Sequence, residues 1–218
     1  MARSRLLRAF SACLLIIILC QPFGAAAITA APATPTGADA SSKIIVQTSA
    51  TATLRSVAQD QGVLLADYGS FSLWRVSAAS AAKLKTMPGV SSPTDFDTIY
   101  LRDRQIDTRQ GPDLTVPSQL RQVSTAAHQL WLVQFVGPTK DEWLAAVAKT
   151  GAEIVAYMPN NTYVVWADGK TLAQLDERAA TGKDVQWTGA YHPAYRLSPQ
   201  LLNLPVDEKI DTVNVTIQ

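Results

Sequence analysis

The chain has 218 residues, 47% of them hydrophobic and 17% charged, with a formal net charge of +1. That near-neutral balance leaves no basic stripe to grip nucleic acid. Its two cysteines, Cys13 and Cys20, both fall near the N-terminus, so the rest of the chain has no disulfide to staple it and must hold together by core packing.

The first residues read as an address. Arg3, Arg5 and Arg8 lead into an apolar run from Ala9 to Cys20, and Ala25, Ala26 and Ala27 follow. A basic start, a short apolar stretch and a small-residue cleavage site predict a secretory signal peptide over residues 1–27. The apolar run falls short of the roughly 20 residues that a membrane span needs. The mature chain is therefore expected to be secreted or in the cell envelope, with no stable membrane span once the signal is cleaved. Leu19 stands before Cys20 where a lipid-attachment site wants a small residue, which argues against lipidation. Loss of the three arginines takes the net charge to −2. Residues 28–42 are mostly Ala, Thr, Pro and Ser with one charge, Asp39, and predict a disordered linker.

A first module is expected over residues 43–107. Residues 43–47 read as a strand and 53–61 as a helix ended by Gly62. Residues 63–68 and 71–76 form a hairpin, 77–85 a helix, and 98–101 the last strand. Residues 108–128 are polar, carry Pro112 and Pro117, and read as a linker.

The second module, residues 129–199, is clearer. Residues 130–136 are rich in β-branched and aromatic side chains and predict a strand that Gly137-Pro138 breaks. Thr139 with Glu142 fits a capping box at the start of a helix over 140–149. Trp143, Leu144, Val147 and Ala148 share one face of it, and Gly151 suits the left-handed residue that ends it. Residues 153–157 and 162–167 are strands around a turn at 158–161, and Asp168-Gly169 ends the hairpin. Residues 170–180 form a helix with Leu172 and Leu175 inward, and 185–187 the last strand. Trp143 and Trp166 are expected in the core. Residues 200–218 form a C-terminal extension, in which 211–217 alternates as a strand should and is expected to open a further domain after Gln218.

The two modules repeat each other at an offset of about 90 residues, too long for a solenoid. Ile45-Val46-Gln47 matches Leu132-Val133-Gln134, Ala66 and Tyr68 match Ala156 and Tyr157 loosely with the register best at the tyrosines, and Phe71, Leu73 and Trp74 match Tyr163, Val165 and Trp166. The element order β-α-β-β-α-β predicts an α+β protein: two tandem ferredoxin-like modules, each an antiparallel sheet with its helices on one face.

Catalytic chemistry is hard to place. The two histidines, His128 and His192, sit in no recognisable catalytic setting, and no G-x-S-x-G elbow or phosphate-binding glycine loop occurs. With no cysteine left after cleavage, a structural zinc site lacks ligands, and no cofactor is expected. An acylphosphatase-like enzyme on the same fold would need an Arg after the first strand, and residues 48–52 and 137–141 have none. Asp141-Glu142 fits the positive end of a helix, and Asp176-Glu177 a solvated face. Asn160-Asn161-Thr162 is formally a glycosylation acceptor but reads better as a hairpin turn. Trp187, Tyr191, His192, Tyr195 and Arg196 straddle the last strand and the tail behind it, and are the candidate partner-binding residues.

One stretch resembles a known family. Leu132-Val133-Gln134-Phe135, Gly137-Pro138 and Trp143-Leu144 begin it, and residues 151–161 (GAEIVAYMPNN) continue it. Val185-Gln186-Trp187 and residues 189–199 (GAYHPAYRLSP) complete it. Together they resemble the N-terminal, inhibitor-type propeptide region of large secreted bacterial subtilisin-type serine proteases. The resemblance implies a ferredoxin-like region that acts as folding chaperone and temporary inhibitor. Its partner would be the protease domain, in cis or in trans. Its sheet would pack on the enzyme, and its tail, about residues 189–198 here, would lie along the active-site cleft as an added strand. The Asp, His and Ser motifs of the protease are missing, so the chain itself is not expected to be an enzyme. The alternative is a stand-alone protease inhibitor or a cell-envelope interaction module.

Overall fold

The computed structural model describes residues 41–50 and 52–198. The expected signal peptide, most of the 28–42 linker, and the 200–218 extension with its strand at 211–217 lie outside the described residues. Among the described residues, no helix is long and apolar enough to cross a membrane.

The protein is α+β with antiparallel sheets. β1 (Ser41–Gln47), α1 (Ala52–Gln61), β2 (Gly62–Asp67), β3 (Phe71–Ser77), α2 (Ala78–Leu84) and β4 (Val90–Ser91) build a first sheet in the order β2-β3-β1-β4. β5 (Thr98–Tyr100) and β6 (Gln105–Asp107) pair as a separate ribbon. β7 (Gln129–Phe135), α3 (Asp141–Ala148), β8 (Glu153–Met158), β9 (Thr162–Ala167), α4 (Gly169–Thr181) and β10 (Val185–Ala190) build a second sheet in the order β10-β7-β9-β8. The two orders are the same, and every pairing in them is antiparallel.

The repeat extends to an irregularity. β2 has a bulge between Leu64 and Ala66 where it pairs with β3, and β8 has one between Ile154 and Ala156 where it pairs with β9. Ala66 and Ala156 thus occupy the same place, one residue away from the register in which Tyr68 and Tyr157 match best. The match at the third strand is one residue out of step. Val46 pairs with Ser72 and Val133 with Tyr163, so Trp74 corresponds to Val165 rather than to Trp166. A shift of one residue turns every side chain to the opposite face. Trp74 is therefore buried under the helices of its sheet, whereas Trp166 is 39% exposed, with its ring 6.0 Å from that of His128. Trp166 is not core.

The last strand of the first sheet also differs from expectation. Val90 and Ser91 pair with Val46 and Ile45, whereas Thr98–Tyr100, the β-rich stretch, pairs with Gln105–Asp107. The strand β1 begins at Ser41, inside the expected linker.

Local chemistry sets the helices. Ser77 caps α2 by accepting from the Ser80 N–H, and Asp168 caps α4 by accepting from the Thr171 N–H at 2.8 Å. The expected capping box on α3 does not form: its N-cap is Lys140, without a side-chain bond, and the Thr139 hydroxyl is buried unpaired. Asp141 and Glu142 in the first turn favour that helix through its dipole instead. The β8–β9 turn uses Asn160 at φ 63° and Asn161 at φ 60°. Two successive left-handed residues suit the twist of a tight hairpin, and Asn tolerates them.

Each face of the second sheet is covered by something different. Val133, Phe135, Val165, Ala167 and Val185 meet Val147 of α3 and Leu172 and Leu175 of α4 in one core. Leu132 and Val164, on the opposite face, meet Ile99, Ile106 and Val116 from the ribbon and the connector behind it. The expected linker 108–128 is thus packed structure. Arg121 donates to the carbonyls of Val116 and Leu114 within the connector, and Gln122 ties it to the sheet by donating to the carbonyl of Leu130 in β7.

The two sheets meet through the helix-free face of the first. Leu73 is fully buried there against Gly137, where an added Cβ would lie 2.6 Å from its Cδ2. The Tyr68 hydroxyl donates to the Pro138 carbonyl at 2.8 Å, and Arg75 to that of Gly182 at 2.8 Å.

Candidate functional site

The tail after the last strand is the candidate binding segment, and it lies against its own chain. β10 pairs with β7 as far as Ala190, and the Tyr191 N–H continues the ladder to Leu130. A single 3-10 turn, Pro193–Arg196, then folds the chain back. Pro at the start of that turn and the Tyr195 N–H bonded to the His192 carbonyl close it.

The turn places the five candidate residues unequally. Ala194 and Tyr195 are buried, the latter at 6% exposure, in the core with Leu132, Val164 and Val116. The Tyr195 hydroxyl donates to Asp113 at 3.1 Å, and the Arg104 guanidinium lies 5.4 Å from the ring centre. Burial, the Asp113 charge and that hydrogen bond all push the phenol pKa up. Burial would also raise the Asp113 carboxyl, but bonds from Thr115 and Tyr195 and the nearby Arg104 outweigh it and hold the group below 3.8. His192 Nδ1 accepts the Gln122 N–H at 2.9 Å, which leaves a neutral ring its proton on Nε2. Burial lowers its pKa, with Asp113 acting against. Trp187 and Tyr191 are half-buried on the edge of the same core, and of the five only Arg196 is exposed.

The structure therefore brings Trp187, Tyr191, His192 and Tyr195 together, on a surface that the ribbon and connector already occupy. Asp113 and Gln122, which help hold them, escape sequence reasoning because they sit in a polar stretch that looks like a spacer, and Arg104 because it falls in the expected first module. His128 lies apart, beside Trp166. Among the described residues no group of three or more His, Cys, Asp or Glu side chains gathers to hold a metal.

A second cluster of buried polar groups lies at the junction of the sheets. Gln134 is fully buried, and its amide is saturated. Its Oε1 accepts from Thr108 and Gln186, and its Nε2 donates to the carbonyls of Asn160 and Thr98. Beside it the Lys43 ammonium donates to Asp97 at 2.7 Å, to the Phe96 carbonyl and to Gln186. Burial drives Lys43 down from 10.5 to about 8, against the pull of Asp97. Asn160, of the formal glycosylation acceptor, donates its amide to Thr98.

Residues 100–192 match the family described as a domain of unknown function (DUF8729). No curated protein matches the chain, and no solved structure does. The matched stretch runs from the end of β5 through the connector and the second sheet to His192, so it takes in the covering segments with the sheet they cover.

Proposed function

We propose that this chain is a noncatalytic, propeptide-like region of a secreted subtilisin-type serine protease, built of two ferredoxin-like modules and acting by protein contact. The observation that carries the reading is the shared strand order, β2-β3-β1-β4 and β10-β7-β9-β8, with a bulge at the same place in each second strand. That order agrees with the split β-α-β arrangement expected of a ferredoxin-like fold, and it joins the family-like stretch at residues 132–199.

The placement of the tail bears on the mode of action. A cleft-occupying inhibitor must offer an extended tail to the enzyme. Here Tyr195 is buried and His192 engaged, and the sheet face that would dock is covered by Ile99, Ile106 and Val116. The geometry favours a folding scaffold over an inhibitor. A stand-alone inhibitor would have to release the tail first.

Residues 28–218 test this in two assays. Added to denatured subtilisin-type protease domains, they should raise the yield of active enzyme, while leaving folded proteases uninhibited. Unchanged yield together with no complex on gel filtration across a panel would overturn the scaffold reading. Stoichiometric inhibition would restore the inhibitor.

A further inference from the structure

Beside the junction, the start of β1, β3 and the end of α4 enclose a cleft of about 530 Å³ that the propeptide reading leaves without a role. Lys43, Arg75 and Arg109 line it, with Asp97 as the one carboxylate among the lining residues. A neighbouring hollow shares Ser41, Lys43, Asp97 and Arg109 with it and adds Lys85. Asp97 attracts all three lining cations, and Arg75 and Arg109 both repel Lys43.

The positive charge is only partly answered. Lys43 is 8% exposed, with its ammonium held by Asp97, Phe96 and Gln186. Arg109 is forked onto Asp107 with both Nε and Nη2, but its side chain is 66% exposed. Among the described residues Arg75 makes one side-chain hydrogen bond, from Nη2 to the Gly182 carbonyl, and its fork carries further N–H groups. Burial lowers the pKa of both Lys43 and Arg75 despite Asp97, the mark of cations with too little negative charge around them. A guanidinium fork at the wall of a concave, partly dried cleft, backed by a buried ammonium, is suited to an oxyanion.

We propose that this cleft binds a small tetrahedral oxyanion of the phosphate or sulfate type, held by Arg75 and Arg109 in the field of Lys43. The site is independent of the propeptide reading. Arg75 comes from the first sheet and bonds to the loop after α4, so a bound anion would tie the two sheets more firmly together.

Thermal melting of residues 28–218 at pH 7 tests the site, with inorganic phosphate titrated against sodium chloride at constant ionic strength. Tm should rise with phosphate and saturate, and sulfate should do the same. Arg109→Gln, at an exposed position that leaves folding intact, should weaken binding about tenfold or more, the loss of a charge-assisted hydrogen bond. Arg75→Gln should do likewise, and Lys170→Gln, at the far end of α4, should not. No rise beyond that in chloride would overturn the proposal. So would an equal rise in wild type and Arg109→Gln.

Discussion

If Tyr195 pins the tail, removing it should weaken the whole second sheet. Its side chain is 6% exposed and packs with Leu132, Val164, Val116 and Ala194. Tyr195→Ala deletes a buried aromatic ring from that core and should cost about 3–5 kcal/mol. Tyr195→Phe keeps the ring and removes only the bond to Asp113. That carboxylate retains Thr115 and the nearby Arg104, so it is not orphaned, and the cost should be about 1–2 kcal/mol. Urea unfolding followed by tryptophan fluorescence measures both, with an unchanged m-value as the sign that only stability moved. Trypsin gives a local readout at Arg196, which is exposed and next to Tyr195. Cleavage there should be slow in wild type and fast in Tyr195→Ala. If Tyr195→Ala unfolds within about 0.5 kcal/mol of wild type, the tail is not pinned, and the case against a cleft-occupying tail fails with it.

Trp143 packs on the helix-side core with its ring 6.0 Å from that of Phe135, so Trp143→Ala should cost about 3 kcal/mol, somewhat reduced from full burial. Trp166→Ala, on the exposed face, should cost clearly less in the same urea titration, and equal losses would refute the one-residue shift. Gly169 opens α4, where an added Cβ would lie 2.5 Å from the Thr125 carbonyl oxygen. On propensity alone Gly169→Ala would stabilise the helix by up to about 1 kcal/mol, so a melt showing destabilisation reports the packed connector, and stabilisation a loose one. Lys43 has a folded pKa of about 8 against 10.5, so the folded state binds fewer protons between those values and stability should rise with pH across that window. The gain is up to about 3 kcal/mol, reduced near pH 10 as the unfolded tyrosines ionise before the buried Tyr68 and Tyr195, and Lys43→Met should lose the slope.

Sequence reading was most reliable where one side chain's neighbours are close along the chain. The β8–β9 hairpin, its Asn-Asn turn and the inward Leu172 and Leu175 of α4 all follow from local period and turn chemistry. The failures have long-range causes. The two-residue strand β4 carries no period of its own, while Thr-Ile-Tyr has strong β preference and found another partner in β6. Aligning tryptophan with tryptophan put Trp166 in the core, because identity of residue outweighed the alternation of the pleat. Thr139 and Glu142 fit a capping box, yet the chain takes its N-cap one residue later. The connector looked like a spacer because a polar stretch that bonds to its own backbone has the same composition as one that bonds to water. The aromatic tail looked like a surface for a partner because its partners, Asp113 and Gln122, lie far upstream.

That packing changes where the second folding unit begins. The repeat places it at residue 129, but Leu132 and Val164 are then left with one face of the sheet bare. Ile99 and Val116, both essentially unexposed, cover that face together with Ile106. Burying each is worth about 1.5–3 kcal/mol, whereas a module of about 70 residues has about 3–5 kcal/mol in hand. Losing the three covering residues should use up that margin. Residues 129–198 alone should therefore be unfolded or aggregated, with dispersionless amide spectra. Residues 96–198, which keep the ribbon, the connector and Tyr195, should fold cooperatively, even without the first sheet. The family match beginning at residue 100 has nearly the same boundary. A cooperative melt from residues 129–198, equal in midpoint to that of residues 96–198, would show that the connector covers the sheet without stabilising it. The tail's burial would then come from β10 and the 3-10 turn alone.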